Sequence, residues 1–243
     1  MAPTVRAPRA PGHNWGRLVE SVIARTVFSA PMSASTISAA SSRWAIEPRE
    51  GEAAGDDGLL ALEPTPAEIA AAAPALAAFY NDPHNRRMMA NTVTMTPAEV
   101  VTSFDELRAQ GGRPFLLFSG ERLLGDGDLR HLDPGARAGE AAILIGDRTI
   151  QGRGLGTRFA AMLHAFGFEV LGLGRIYASI LPDNAASVRL FTKLGHQPDG
   201  SAAARAFADE PGDVTLSVTA ARFEAAARAL RDGVRLYPRG PGG

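Results

Sequence analysis

The stretch "ILIGDRTIQGRGLGTRF", residues 143–159, decides how this chain is read. It runs from an apolar segment into a helix-like one and sets Gly152, Gly154 and Gly156 at the junction. Glycine costs backbone entropy there, so the junction must need bare amides brought close. On one side, "GEAAILIGD" alternates too little for a strand with one wet face and reads as buried and central. On the other, Leu155, Phe159, Met162, Leu163 and Phe166 recur at helical spacing, which predicts a helix from about Leu155 to Phe168. "RIYASIL" follows as a second buried strand. The result is a β-α-β core at residues 140–181. A helix N-terminus carries unpaired amides and about half a positive charge, and a turn without side chains lets a phosphate oxygen reach them. The junction therefore reads as a phosphate or pyrophosphate seat, or as tight strand-helix packing with no ligand.

Outward from this core the pattern stays regular. "GLLALEP" is a short strand. Thr65-Pro66-Ala67-Glu68 and Thr96-Pro97-Ala98-Glu99 each open a helix with a capping box, and Gly111 stops the second. "RPFLLFSGERLLGDGDLRHL" reads as two strands joined at Ser119-Gly120. "NAASVRLFTKLG" is a helix ended by Gly195, "DVTLSVTA" a last strand, and "ARFEAAARALRDGV" a closing helix. The fold class is α/β (α+β), with an antiparallel first half.

The glycines fit neither common nucleotide fingerprint. Counted from Gly152 or Gly154, the third glycine of a dinucleotide loop falls on Thr157 or Phe159, and no acid stands on the following strand. The Gly-Lys-Ser/Thr of a P-loop is absent. What fits is Gln151-x-x-Gly154-x-Gly156, which resembles the acyl-CoA loop of the GNAT acetyltransferase superfamily. A second match lies in "NAASVRLFTKLGH", where Asn184, Ser187, Leu190, Lys193, Leu194 and Gly195 resemble that family's later helix segment. The resemblance covers roughly residues 58–220, and its wording is most similar to the ribosomal-protein-type N-acetyltransferase branch.

The resemblance implies a mixed central sheet, flanked by helices, whose parallel strands around 141–146 and 175–181 start side by side and then splay. It implies acetyl-CoA as cofactor. The pantetheine arm would pair with backbone groups of Leu144, Ile145 and Gly146, and the pyrophosphate would sit on the turn formed by Gln151, Gly152, Arg153, Gly154, Leu155, Gly156 and Thr157. Asn184 would approach the pantetheine arm, with helix capping as its plain alternative, and Ser187 and Phe191 would line the cofactor wall. Arg158 could add charge to the phosphate.

The acceptor would be a primary amine on a protein N-terminus, a peptide or a small molecule. Freeing its lone pair at pH 7 costs about 1 kcal/mol for an α-amino group and about 4.6 kcal/mol for a lysine. Glu140, opening the central strand, is the candidate base, and Asp128, with Asp126 beside it in "GDGDLR", is a second carboxylate for base work or cation binding. Phe191 stands where many family members carry a proton-donating tyrosine, so the thiolate leaves unassisted or takes its proton from Ser187 or Tyr177. That departure keeps a catalytically weak acyl-CoA sensor or scaffold as the alternative. With no cysteine in the chain, a route through acyl-cysteine is closed and direct attack in a ternary complex is expected.

Composition sets the remaining bounds. A net charge of -1 over 243 residues offers no basic field for nucleic acid or an anionic membrane surface. The five histidines show no paired metal-ligand spacing, so no metal site is expected. No apolar run is long enough to span a bilayer. A monomer or homodimer in the cytoplasm is expected. Residues 1–57 read as a poorly ordered extension, rich in Pro, Ser, Ala and Arg, with an amphipathic segment in "GRLVESVIARTVFSAP". A transit peptide and a later start at Met32 are its alternatives. Residues 58–220 read as the catalytic domain and 221–243 as a helix and tail. Acceptor choice is expected from residues 80–98, which hold Arg86 and Arg87, and from the loop at 200–212.

Overall fold

The structure, a computed structural model, describes residues 42–49, 58–90, 93–208 and 212–239. Most of the extension read over residues 1–57, its amphipathic segment included, lies outside the described residues.

Nine strands form one mixed sheet in the order β7-β8-β6-β5-β4-β3-β2-β1-β9. They are β1 (Trp44–Pro48), β2 (Leu59–Leu62), β3 (Arg113–Ser119), β4 (Arg122–Asp133), β5 (Ala138–Ile145), β6 (Arg175–Ile180), β7 (Gln197–Pro198), β8 (Val214–Thr219) and β9 (Val234–Pro238). Every neighbouring pair is antiparallel except β5 and β6. That one parallel pair needs a crossover, and α4 (Leu155–Ala165) supplies it.

Local chemistry explains the helices. In α1 (Pro66–Asn81) Thr65 and Glu68 exchange both capping-box bonds, at 3.1 and 2.6 Å. In α3 (Pro97–Ala109) Thr96 and Glu99 do the same, at 3.3 and 2.7 Å. Gly111 and Gly195 end α3 and α5 (Ala185–Lys193) at φ +81° and +88°, a region closed to most side chains. The expected helix to Phe168 is α-helical only to Ala165, and its next turn winds as a π-turn over Phe166–Val170. Short helices α2 (Pro83–Met88) and α6 (Ala202–Arg205) lie in segments read as loops.

Side-chain alternation divides the core in two. Leu116 packs with Ile69, Leu76 and Phe104, so α1 and α3 cover one face of the sheet. Phe115 and Leu117, its neighbours along β3, pack with Phe159, Met162 and Phe166, so α4 covers the other, joined there by α7 (Ala220–Asp232) through Phe223.

Two parts of the expected organisation are corrected. Residues 44–48 belong to the sheet as β1, and the tail beyond α7 returns as β9 and pairs along all of β1. A buried ion pair anchors this edge. Arg113 donates to both oxygens of Glu63, at 2.5 and 2.8 Å, and to Ser42 O at 2.9 Å. Glu63 in turn accepts from Trp44 N at 3.1 Å. The two partners stand fifty positions apart in sequence, so no local pattern announces them.

Candidate active site

The β5–β6 ladder is short. It pairs Ala138 with Arg175, Gly139 with Ile176 and Glu140 with Tyr177, and then stops, although β5 continues to Ile145 and β6 to Ile180. On its other edge β5 stays paired with β4 as far as Ile145, and Gly146 N donates to Leu124 O at 2.9 Å. Alternation along an antiparallel ladder then turns the N–H and C=O of Ile143 and Ile145 into the gap, and those of Leu144, with the N–H of Gly146, towards β4. The splay expected between the two strands is present, but the backbone facing it is that of Ile143 and Ile145. Gly146 has its carbonyl taken by Asn85 Nδ2 at 2.9 Å, and the Ile145 carbonyl accepts from Gln151 Nε2 at 2.7 Å. Gln151 thus ties the loop to the end of β5 and lies 3.1 Å from Asn85 Oδ1.

The three glycines of the junction serve different needs. Gly152 and Gly154 sit at φ +80° and +85° with open space around them, so conformation alone demands glycine there. Gly156 has ordinary backbone, but a Cβ on it would come within 2.9 Å of Leu190 Cδ1. It lets the start of α4 lie close against β5 and α5. No side chain caps α4, and its first internal bond is Arg158 N to Gly154 O at 3.2 Å. The amides of Leu155, Gly156 and Thr157 therefore point out of the helix end without an intrahelical acceptor. Arg153 is exposed beside them. Arg158 lies elsewhere: with Pro48, Met162, Leu230 and Val234 it lines a cavity of about 530 Å³ between α4 and α7. Burial there lowers its pKa.

Asn184 caps α5, accepting from Ser187 N at 3.1 Å, and its amide donates to Met88 O at 3.2 Å. Asn85 and Met88 both belong to α2, so this short helix bridges the ends of β5 and α5 across the mouth of the gap. Ser187 is half-buried in the first turn of α5. Phe191, expected to line the cofactor wall, lies among the core residues. It is 4% exposed and packs edge-on against His196, ring centres 4.9 Å apart. Tyr177 is buried too, stacked on Phe207 at 4.3 Å.

Three carboxylates share the sheet face on the α1 side, because cross-strand partners point the same way. Asp126 stands opposite Leu144, Asp128 opposite Ala142, and Arg130 opposite Glu140. Glu140 is 2% exposed, with Oε2 2.9 Å from His131 Nδ1. His131 is exposed and adopts φ +50° where the β4–β5 register shifts. Such a conformation costs a non-glycine residue of order 1–2 kcal/mol. Asp128 is clamped by Arg130 through Nε at 2.6 Å and Nη2 at 2.5 Å. Burial raises the Asp128 pKa, and the Arg130 charge opposes it. Asp126 accepts from Tyr80 Oη at 2.6 Å on Oδ2, and its Oδ1 meets no donor among the described residues. Burial pushes its pKa up to about 7.

Sequence reasoning missed Asn85, Tyr80 and His131. Tyr80 sits at helical spacing with Leu76 and Ile69, where it reads as core. Asn85 lies in a stretch rich in polar residues with no period to read. The described residues hold no cluster of three His, Asp or Glu able to take a metal, and no helix long and apolar enough to cross a membrane.

Comparison with known proteins agrees with this geometry. Among solved structures the chain is similar to RimJ of Mycobacterium smegmatis in complex with CoA-disulfide, with a TM-score of 0.60 and 18% identity over 79% of this chain and 96% of that one. It is similar to the aminoglycoside acetyltransferase AAC(6')-Ib in complex with coenzyme A, at 0.58 and 18% over 70% and 99%. A chimera built on the spermidine N-acetyltransferase SpeG from Vibrio cholerae matches at 0.55 and 17% over 68% and 97%. No curated protein matches. The sequence profile of the acetyltransferase (GNAT) domain matches residues 59–197, more than half of the chain, from β2 to the start of β7. With its glycine loop, its splayed strands and that match, this chain belongs to the GNAT acetyltransferase family.

Proposed function

We propose that this protein moves the acetyl group of acetyl-CoA to a primary amine by direct attack. The observation that carries the reading is the ladder that stops at Glu140 and Tyr177, leaving backbone of Ile143 and Ile145 turned into a gap beside an uncapped helix start. An amide-bearing pantetheine arm restores strand pairing there, and a diphosphate suits the amides of residues 155–157. The stretch Ile143 to Ile145 is then the strand edge along which the arm runs. Gln151 holds that edge to the loop. Gly152, Arg153, Gly154, Leu155, Gly156 and Thr157 form the diphosphate seat, and Asn184 and Ser187 form the α5 side of the gap. The Ile145 N–H is placed to polarise the thioester carbonyl, since the Ile145 C=O is already engaged by Gln151.

The acceptor enters from the α1 side, where Glu140, Asp128 and Asp126 favour a cation. The bound amine must shed its proton before attack, and it does so at this carboxylate face. Two of the neighbours named above are described as an aminoglycoside acetyltransferase and a spermidine N-acetyltransferase. Aminoglycosides and spermidine both supply cationic primary amines, which suits an acidic acceptor face.

Calorimetry with acetyl-CoA, and thiol release in the presence of spermidine, kanamycin or a peptide with a free N-terminus, test the reading. Acetyl-CoA should bind, and at least one amine should drive thiol release. Gly154→Val should weaken binding at least tenfold, because a β-branched residue cannot hold φ +85°. Absence of acetyl-CoA binding in the wild type overturns the reading.

A further inference from the structure

We infer that Asn85 is a positioning residue that acts through Gln151 to fix where the acyl arm pairs along β5. This rests on the acetyl-transfer reading above and adds what sets the register of the arm within it.

A strand edge repeats its polar groups every two residues, so an arm paired with it can step by about 6.8 Å and find the same partners again. Ile143 and Ile145 are two such stations, each turning an N–H and a C=O into the gap. A side chain makes them unequal. Gln151 Nε2 donates to the Ile145 carbonyl at 2.7 Å. Ile145 then offers a donor alone, which suits a carbonyl oxygen of the arm. Ile143 offers a donor and an acceptor, which suits an amide of the arm. The step between them is closed, because an amide N–H of the arm finds no acceptor at Ile145.

The direction in which Gln151 points is dictated by two buried carbonyls. A side-chain amide can turn over and present its oxygen or its NH2. Asn85 has no such choice. Its Nδ2 lies 3.0 Å from Phe79 O and 2.9 Å from Gly146 O, and a carbonyl only accepts. Both Nδ2 hydrogens are engaged, so Oδ1 faces Gln151. Gln151 must present its NH2 in turn, with one hydrogen on Asn85 Oδ1 at 3.1 Å and the other on Ile145 O. The four hydrogens of the two amides meet four oxygens, and turning either amide over breaks the set.

Asn85 is itself held in place. It is 1% exposed, its N–H donates to Asp82 Oδ1 at 3.1 Å, and its carbonyl accepts from Met89 N at 2.9 Å. Without Asn85, Gln151 can turn over and release the Ile145 carbonyl. An arm amide then makes two hydrogen bonds at Ile145 where a carbonyl made one. One net hydrogen bond shifts a population by roughly two- to tenfold, and a thioester displaced by as little as about 1 Å hardly reacts. Loss of the lock therefore slows turnover without weakening the coenzyme.

The test uses Gln151→Met, Asn85→Ala and the double variant, with acetyl-CoA and whichever of spermidine, kanamycin or the free peptide gives the fastest wild-type thiol release. Each single variant should lower kcat about three- to tenfold, with acetyl-CoA affinity by calorimetry within threefold of wild type or tighter. The double variant should be no slower than Gln151→Met alone, since Asn85 acts through Gln151. In full-length protein labelled with carbonyl-13C isoleucine, coenzyme A should shift the Ile143 carbonyl and leave that of Ile145 in place, and in Gln151→Met it should shift that of Ile145. Should Asn85→Ala not fold, Asn85→Ser, which keeps one donor for the buried carbonyls, takes its place. An Ile145 carbonyl that shifts in the wild type, an unchanged kcat in Gln151→Met or the Asn85 variant, coenzyme binding weakened as much as turnover, or a double variant slowed by the product of the singles overturns the lock while leaving acetyl transfer intact. A wild type that binds no acetyl-CoA, or releases no thiol with any amine, overturns both.

Discussion

Two histidines buried behind the active site should make stability depend steeply on pH. His164 on α4 and His196 after α5 touch through Nε2 at 2.8 Å. His164 Nδ1 lies 2.7 Å from Ala160 O, and a carbonyl only accepts, so Nδ1 carries the hydrogen. Its Nε2 is then a lone pair, and His196 donates to it. Protonating His164 would set N–H against N–H. Burial among Phe168, Phe191 and Phe223 pushes His164 down to about 4, and burial beside His164 pushes His196 to about 2. Below about 6.5 the unfolded chain binds two protons that the folded chain refuses. This contribution is therefore full above 6.5 and is lost as pH falls towards 4. Asp126 runs the other way. Its folded pKa of about 7 lies above the unfolded 3.8, so its contribution is present at low pH and is lost as pH rises through 7. Each proton is worth about 1.4 kcal/mol per pH unit. Replacing both histidines, His164→Leu with His196→Leu, swaps the polar pair for apolar groups and should leave a folded protein. Urea denaturation followed by far-UV circular dichroism, at about pH 6 and about pH 5, gives the slopes. Over that unit the wild type should lose about 2–3 kcal/mol more than the double variant, and Asp126→Asn should lose about 1.4 kcal/mol more than the wild type. Comparison between variants cancels the remaining carboxylates. A double variant with the wild-type slope would refute the reasoning.

Gly146→Ala should destabilise the fold by about 2–3 kcal/mol and lower Tm by about 5–10 °C. Its Cβ would fall 2.2 Å from Phe79 Cγ, inside the α1 packing, and a thermal melt reads the result. Glu63→Gln should cost about 3–5 kcal/mol, because it strips a buried Arg113 of its counter-charge. Adding Arg113→Met should recover most of that loss in the same denaturation assay, and a double variant no better than the single would contradict the account of this edge.

Legibility in the sequence followed the range of the interactions. Capping boxes, terminating glycines and the β-α-β core act within a few residues and could be read directly at Thr65, Thr96, Gly195 and the 143–159 stretch. The outer edge of the sheet could not. β1 and β9 pair across the length of the chain, and the charge pair that secures them joins positions fifty apart. The site divided in the same way. The glycine loop and the capping role of Asn184 are local and visible. Which partner each carboxylate meets, Arg130, His131 or Tyr80, depends on a register that only the folded sheet defines. Gly146 and Phe191 look like cofactor contacts by position in the motif, yet the structure packs one beneath Phe79 and the other against His196.

Amide hydrogen exchange, with and without coenzyme A, tests the central claim most directly. The account predicts that the amides of Ile143 and Ile145 slow together with those of residues 155–157, as strand pairing and the diphosphate seat fill at once. Saturating ligand that leaves both groups exchanging at their free rates, or protects only residues remote from the gap, would contradict it.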